Sequence, residues 1–385
     1  MQEDFHYYAT YCAAYIAGYS IEECRTICYS AQFVDYCSKT LLLKAGARPS
    51  AATTQLQLEL MDTRTDKVGL RDITRIWSAF HFLPANLYAA YSRKATKSYL
   101  DKYRLICGPN GKLVARTVEL AKDNTLQAVG IAMHVLADTW AHRYFAGTPS
   151  LVINNTTFYF YELYQGENGE EKRPILFNHN PGSPDDIDKC HYTNSLYRGS
   201  ENSIMNLGHG RAGHLPDYSF ITYEFMPPWA EYDTIIKDNP SDYYNAFCQM
   251  VYAMKYLRGD IAEFSTDTYA FEDVAPYETE IKWILKKRQL DSCDDWRAFC
   301  ERLTGSAPEK FYMEAYLPEY TGADSADKPE TFLGKFTTAA IDQKSMVAHA
   351  IYDSGSMLAG TARKFKRLDK ADADFANADG RSDKE

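Results

Sequence analysis

The segment from Asn124 or Thr125 to about Phe145 is predicted as a helix ending near Gly147, and the apolar residues Met133, Val135, Leu136, Ala137 and Trp140 turn it toward a protein interior. Two imidazoles and a carboxylate interrupt it at i, i+4 and i+8, His134, Asp138 and His142, and at 3.6 residues per turn they form one stripe. Upstream, helices are predicted from Phe5 to Ala17, stopping at Gly18, and from Ser20 to about Cys37. Ser20 followed by Glu23 is the capping-box signature that opens the second, and Asp35 lies near its end. Apolar residues at helical spacing (Ile73, Ile76, Trp77, Phe80) predict a further helix over 72–82, stopped by Pro84.

Residues 148–240 differ. They hold most of the Pro and Gly clusters and two short β-like runs, 151–154 and 157–161, while 165–203 reads as loop on its turn chemistry. Helical patterns resume at 241–257, 277–287, 294–303 and 328–365. The pattern predicts a mainly α fold: a helical unit over 1–260 carrying a loop-rich insertion at 148–240, a C-terminal helical extension over 261–368, and a flexible charged tail over 369–385.

Composition narrows the class. The 385 residues are 45% hydrophobic and 24% charged, which fits a globular chain, and the net charge of −10 argues against broad nucleic-acid or anionic-membrane binding. No run approaches the ~20 apolar residues of a membrane span. The first residues carry no basic and apolar segment of the signal-peptide kind, so a cytoplasmic location is expected. Nine cysteines without C-x-x-C spacing read as free buried thiols, Cys24 and Cys28 included.

Buried His and Asp side chains in one stripe need partners for their charge and hydrogen bonds, and a divalent metal cluster supplies them economically. A core His–Asp pair is the plainer reading of any two of them. The wider set is what favours metal: His6 after Asp4, Asp35 in S-A-Q-F-V-D, His81 in W-S-A-F-H-F, and His209, His214 and Asp217 in the Gly-rich stretch 208–217. For His81 the alternative is a capped core histidine; for His209 and His214 it is hydrogen bonding within the loop.

The order of these residues resembles the zinc-dependent phospholipase C / P1-nuclease family of all-helical trinuclear zinc enzymes. The chain as a whole looks closer to an uncharacterised bacterial family with D-F-H-Y-Y, S-A-Q-F-V-D and H-V-L-A-D-T-W-A-H. The resemblance covers roughly residues 4–217 and implies a helical bundle of the phospholipase C type with two or three Zn2+ ions, other divalent metals being possible. Asp35, His81, His134 and Asp138 would hold one ion. Asp138 would bridge to a second, completed by His6 and a group near the N-terminus, and His142 would hold the third with His209 and either Asp217 or His214. In that family the mature N-terminal residue ligates metal; here Asp4 is expected to take that place. The family's compact H-x3-E is replaced by the Gly-rich stretch.

The implied activity is phosphoester hydrolysis of a small substrate, with Asp138 and Asp35 positioning a metal-bridging hydroxide that attacks phosphorus. Arg143 and Arg211 are candidates to bind phosphate by a bidentate fork, with surface ion pairing as the alternative. Gln32 and Asp72 are candidate outer partners of the ligands. An HD-type phosphohydrolase is disfavoured because no His-Asp dipeptide occurs. A metal-stabilised helical scaffold without catalysis is the remaining alternative.

Overall fold

The computed structural model describes residues 1–63, 66–156, 159–166, 169–180, 183–195 and 204–362. The fold is mainly α. A π-helical segment, Asp4–Ala9, continues into α1 (Thr10–Ile16), and α2 spans Ile21–Phe33 behind the expected Ser20–Glu23 capping box. Helix α3 (Lys67–Phe80) has an Asp66 cap, and α4 (Leu126–Ala141) has a Thr125 cap. Every α4 residue from Gln127 to Ala141 is buried. That helix is central because partners cover it on all sides: α2, α3, the helix Lys112–Ala121, α6 (Asn239–Arg258) and α9 (Phe332–Asp353). Between the last two lie α7 (Glu278–Lys286) and α8 (Cys293–Thr304).

One core cluster runs from Phe5 through α2, α4 and α6 to Phe336 and Ile351, so the C-terminal helices share it with the N-terminal ones. Gly130 permits a close approach of α4 to α2 within it: a Cβ there would stand 2.4 Å from the Ile27 carbonyl oxygen and 2.5 Å from Ser30 Cβ. Among the described residues, no helix is long and apolar enough to cross a membrane. The nine cysteines are free thiols.

The insertion is built differently from its expected form. Leu151–Asn154 is a short helix, α5, because the Asn154 side chain bonds Ala146 N and O, Thr148 O and Asn206 O, locking a turn in place of an extended run. Strand β1 (Phe160–Gly166) begins in the β-like run 157–161 and forms a hairpin with β2 (Gly169–Pro174), which lies within the stretch read as loop. Strands β3 (Leu176–Asn178) and β4 (His191–Thr193) pair in parallel; β5 (Thr222–Phe225) and β6 (Ile235–Asp238) complete an antiparallel sheet of order β2-β1-β5-β6. Phe160 opposes Phe225 and Glu162 opposes Tyr223, which puts all four on the buried face. Polar β2 is held by side chains: Arg173 bonds Glu162 at 2.9 Å and Lys172 bonds Glu224 at 3.1 Å. The aromatic residues Tyr218, Phe220, Tyr223 and Phe225 pack this second core. Thr157, Phe158 and the tail from 363 onward lie outside the described residues.

Three helix ends fall short of expectation. The second helix stops at Phe33, leaving Asp35 in the following turn. Helix α4 stops at Ala141 rather than Phe145, because residues 144 and 145 pair with Cys107 and Tyr144 takes a positive φ of 83°. Helix α9 runs from Phe332 to Asp353 within the expected 328–365, entered through a Thr331 cap and left at Gly355.

Candidate metal centre

Helix ends place the ligand-type side chains. His134 and Asp138 sit on α4, His142 caps its C-terminus, His81 caps the C-terminus of α3, and His6 lies in the buried π-helical turn. The wider π turn is a rarer backbone form, often met at functional sites. Asp35 follows α2, while His209 and Asp217 come from the insertion.

Three sets of ligand atoms converge: His6, His134 and Asp138; Asp35, His81 and His134; His142, His209 and Asp217. One imidazole nitrogen holds one ion, so His134 serves either the first set or the second. Asp138 spans both with its two oxygens. Its Oδ1 stands 3.1 Å from His6 Nε2, and its Oδ2 stands 3.2 Å from His134 Nε2 and 3.3 Å from His81 Nδ1. Asp35 Oδ1 lies 3.7 Å from His81 Nδ1 and 3.9 Å from His134 Nε2, and its side chain is 29% exposed, the open side of an otherwise closed cluster. In the third set, His142 Nε2 is 3.1 Å and His209 Nε2 is 3.7 Å from Asp217 oxygens.

Outer hydrogen bonds fix three of the rings. His81 Nε2–H donates to the Thr53 carbonyl at 3.1 Å, His142 Nδ1–H to the His81 carbonyl at 2.7 Å, and His209 Nδ1–H to the Gly213 carbonyl at 2.7 Å. Each ring therefore presents a lone pair inward, the arrangement of ligating histidines. Gly213 has φ 58° and its Cβ would stand 2.1 Å from the Thr193 oxygen, so only glycine fits where that carbonyl is offered. His6 and His134 stack at 3.8 Å, and neither Nδ1 has a partner among the described residues.

Burial drives the imidazoles of His6, His134 and His209 down to about 4, which keeps them neutral and able to ligate. Burial would raise the carboxyls of Asp138 and Asp217, but surrounding imidazoles and the Met1 ammonium outweigh it and hold both well below the usual range. The Met1 amino nitrogen lies 2.9 Å from Asp138 Oδ1 and 3.2 Å from both Asp217 Oδ1 and His142 Nε2. Burial pulls that ammonium down, yet Asp138, Asp217 and Asp35 raise it to about 11. Two ionised carboxylates around one ammonium leave a junction that favours further positive charge.

One expected ligand is corrected, and of the two alternatives for the third set Asp217 is the one that converges with His142 and His209. Asp4 faces away from the centre: its carboxylate accepts from Ser292 Oγ and from the Phe5 amide, and the Met1 amino group occupies the junction instead. His214 stands outside the third set, 61% exposed, with Nδ1 3.3 Å from Asp217 Oδ2, so it acts on that carboxylate from behind. The two arginines are engaged within the protein: Arg143 pairs with Asp242 at 3.0 Å, and fully buried Arg211 reaches Asn155 at 3.4 Å. Gln32 does bond Asp35, at 3.3 Å, whereas Asp72 pairs with Lys39. The carbonyls of Thr53 and Gly213 had no signal in side-chain chemistry, being backbone groups, whereas a group near the N-terminus was expected and the Met1 amino group stands there beside Asp138.

Comparison with curated proteins and with solved structures gave no match. A model described as a family of unknown function, DUF6765, matches residues 1–358, and the chain belongs to that family.

Proposed function

We propose that this protein is a metal-dependent phosphoester hydrolase whose centre holds two or three divalent ions, zinc by preference. The observation that carries the metal reading is spacing. Ligands on ~2.0–2.1 Å bonds to a tetrahedral ion stand about 3.3–3.4 Å apart. The inward nitrogens and carboxylate oxygens here are 3.1–3.9 Å apart, and several pairs exceed hydrogen-bond reach. Backbone carbonyls behind three rings and neutral buried imidazoles support the same reading. The phosphoester reading rests on the ordered resemblance to the phospholipase C / P1-nuclease family, whose helical bundle is the finer fold we propose for the core. Bound divalent ions would supply an activated water and neutralise phosphate charge. Asp138 would then hold two positions in register through its separate oxygens, and Asp35 would stand at the solvent side where substrate enters.

Metal analysis of protein purified without chelators, together with a panel of chromogenic phosphate mono- and diesters, tests this. Two or three equivalents of zinc and turnover lost in Asp138→Asn are expected. Metal-free wild type, or equal turnover by both proteins, refutes it. The near-complete enclosure of His6, His134 and Asp138 favours a second reading, a structural metal site in a scaffold, since structural sites are closed. Metal retained without turnover on any ester selects that reading.

A further inference from the structure

We propose that Gln343 and Lys344, neighbours on α9, are positioning residues for His81, an inference that rests on the metal reading above. Gln343 is buried and donates Nε2–H to the Ala79 carbonyl at 3.1 Å and to Thr117 Oγ1 at 3.0 Å. Ala79 lies in the last turn of α3, where carbonyls have no partner within the helix, and His81 caps that end. Gln343 therefore fixes the backbone from which His81 projects.

Lys344 acts on the other side of the ring. Its buried ammonium donates to the Ser50 carbonyl at 2.7 Å and the Ala52 carbonyl at 2.5 Å. The next residue is Thr53, whose carbonyl receives His81 Nε2–H. Thr53 is tied down further, its amide to Cys37 O at 2.9 Å and its hydroxyl to Val34 O at 2.6 Å. A hydrocarbon would fill the Lys344 position without the cost of burying an ammonium. What the ammonium adds is the orientation of two carbonyls in a strap that sets the tautomer of His81. The two α9 side chains thus hold that imidazole from its backbone and from its outer nitrogen.

The test uses full-length protein labelled with 15N-histidine, with the His81 signals identified by comparison with His81→Gln. Wild type should show the Nε2–H tautomer for His81. Gln343→Leu and Lys344→Met should lose that single tautomer and weaken zinc at one position by about 10–100-fold, the usual effect of removing an outer partner, while the other ions stay bound. Lys344→Arg should restore much of both. If Lys344→Met does not fold by circular dichroism, Gln343→Leu and Lys344→Arg decide. Folded variants with wild-type tautomer and zinc affinity overturn the proposal, as does parallel loss of every ion. Wild type that binds no zinc refutes the metal reading instead, and the tautomer measurement still decides the role of α9.

Discussion

His142 donates its Nδ1–H to the backbone carbonyl of His81, 2.7 Å away, so one ligand set is anchored on the main chain of another. The bond does not involve the His81 side chain. His81→Ala should therefore cost the ion that His81 helps hold and leave the set His142, His209 and Asp217 loaded. Zinc stoichiometry should fall by one equivalent, and complete loss would show that the sets are not separable.

Gly130 sets the distance between α4 and α2, and the neighbours of its missing Cβ are backbone and Cβ atoms that cannot turn aside. Gly130→Ala should overpack this contact and destabilise by about 1–3 kcal/mol, read from urea unfolding. Zinc affinity should drop as well, because Asp35 follows α2 while His134 and Asp138 ride on α4.

Glu162 is 3% exposed and carries Arg288, Arg173 and the Cys190 thiol. Burial raises its carboxyl, but Arg288, the thiol and Arg173 outweigh that and set it below the ordinary 4.5. A depressed carboxyl contributes stability above its unfolded value and loses it as pH falls below 4.5 toward the folded one. Glu162→Gln should cost about 1.5–3 kcal/mol at neutral pH. Its unfolding curves should also be flatter with pH in the acid range, and an unchanged slope would assign the acid sensitivity elsewhere.

Lys237 is fully buried, 2.5 Å from Asp242, which also takes Arg143 at 3.0 Å. Asp242→Asn should cost about 3–5 kcal/mol by stranding that ammonium, and adding Lys237→Met should recover a large part. A double-mutant cycle measures the coupling, and additive losses would mean the pair is not a unit.

What could be read from the residues was the part carried by period and by side-chain type. The stripe on α4 and the Ser20–Glu23 box follow from helical spacing and capping chemistry, and Gln32 was legible as a candidate outer partner of the ligands. The place of Asp4 did not, because a single turn of π-helix decides which of Asp4 and His6 faces inward, and no residue pattern marks that turn. Strand β2 was hidden because it consists of Gly, Glu, Lys, Arg and Pro with no apolar alternation, held by ion pairs to Glu162 on β1 and Glu224 on β5. Gln343 and Lys344 were equally silent, since their partners are carbonyls far away in sequence.

His209 and Asp217 belong to the insertion, whose aromatic residues form a second cluster together with Phe82, Cys107 and Phe145 of the helical unit, Trp77 packing against both clusters. The candidate centre therefore lies where the two clusters meet. In hydrogen-exchange terms, an opening that lifts the insertion from the helices would expose its amides and empty the third ligand set while the α4 sets stay intact. On the proposed metal reading, occupancy of that set would report whether the insertion is seated on the helices.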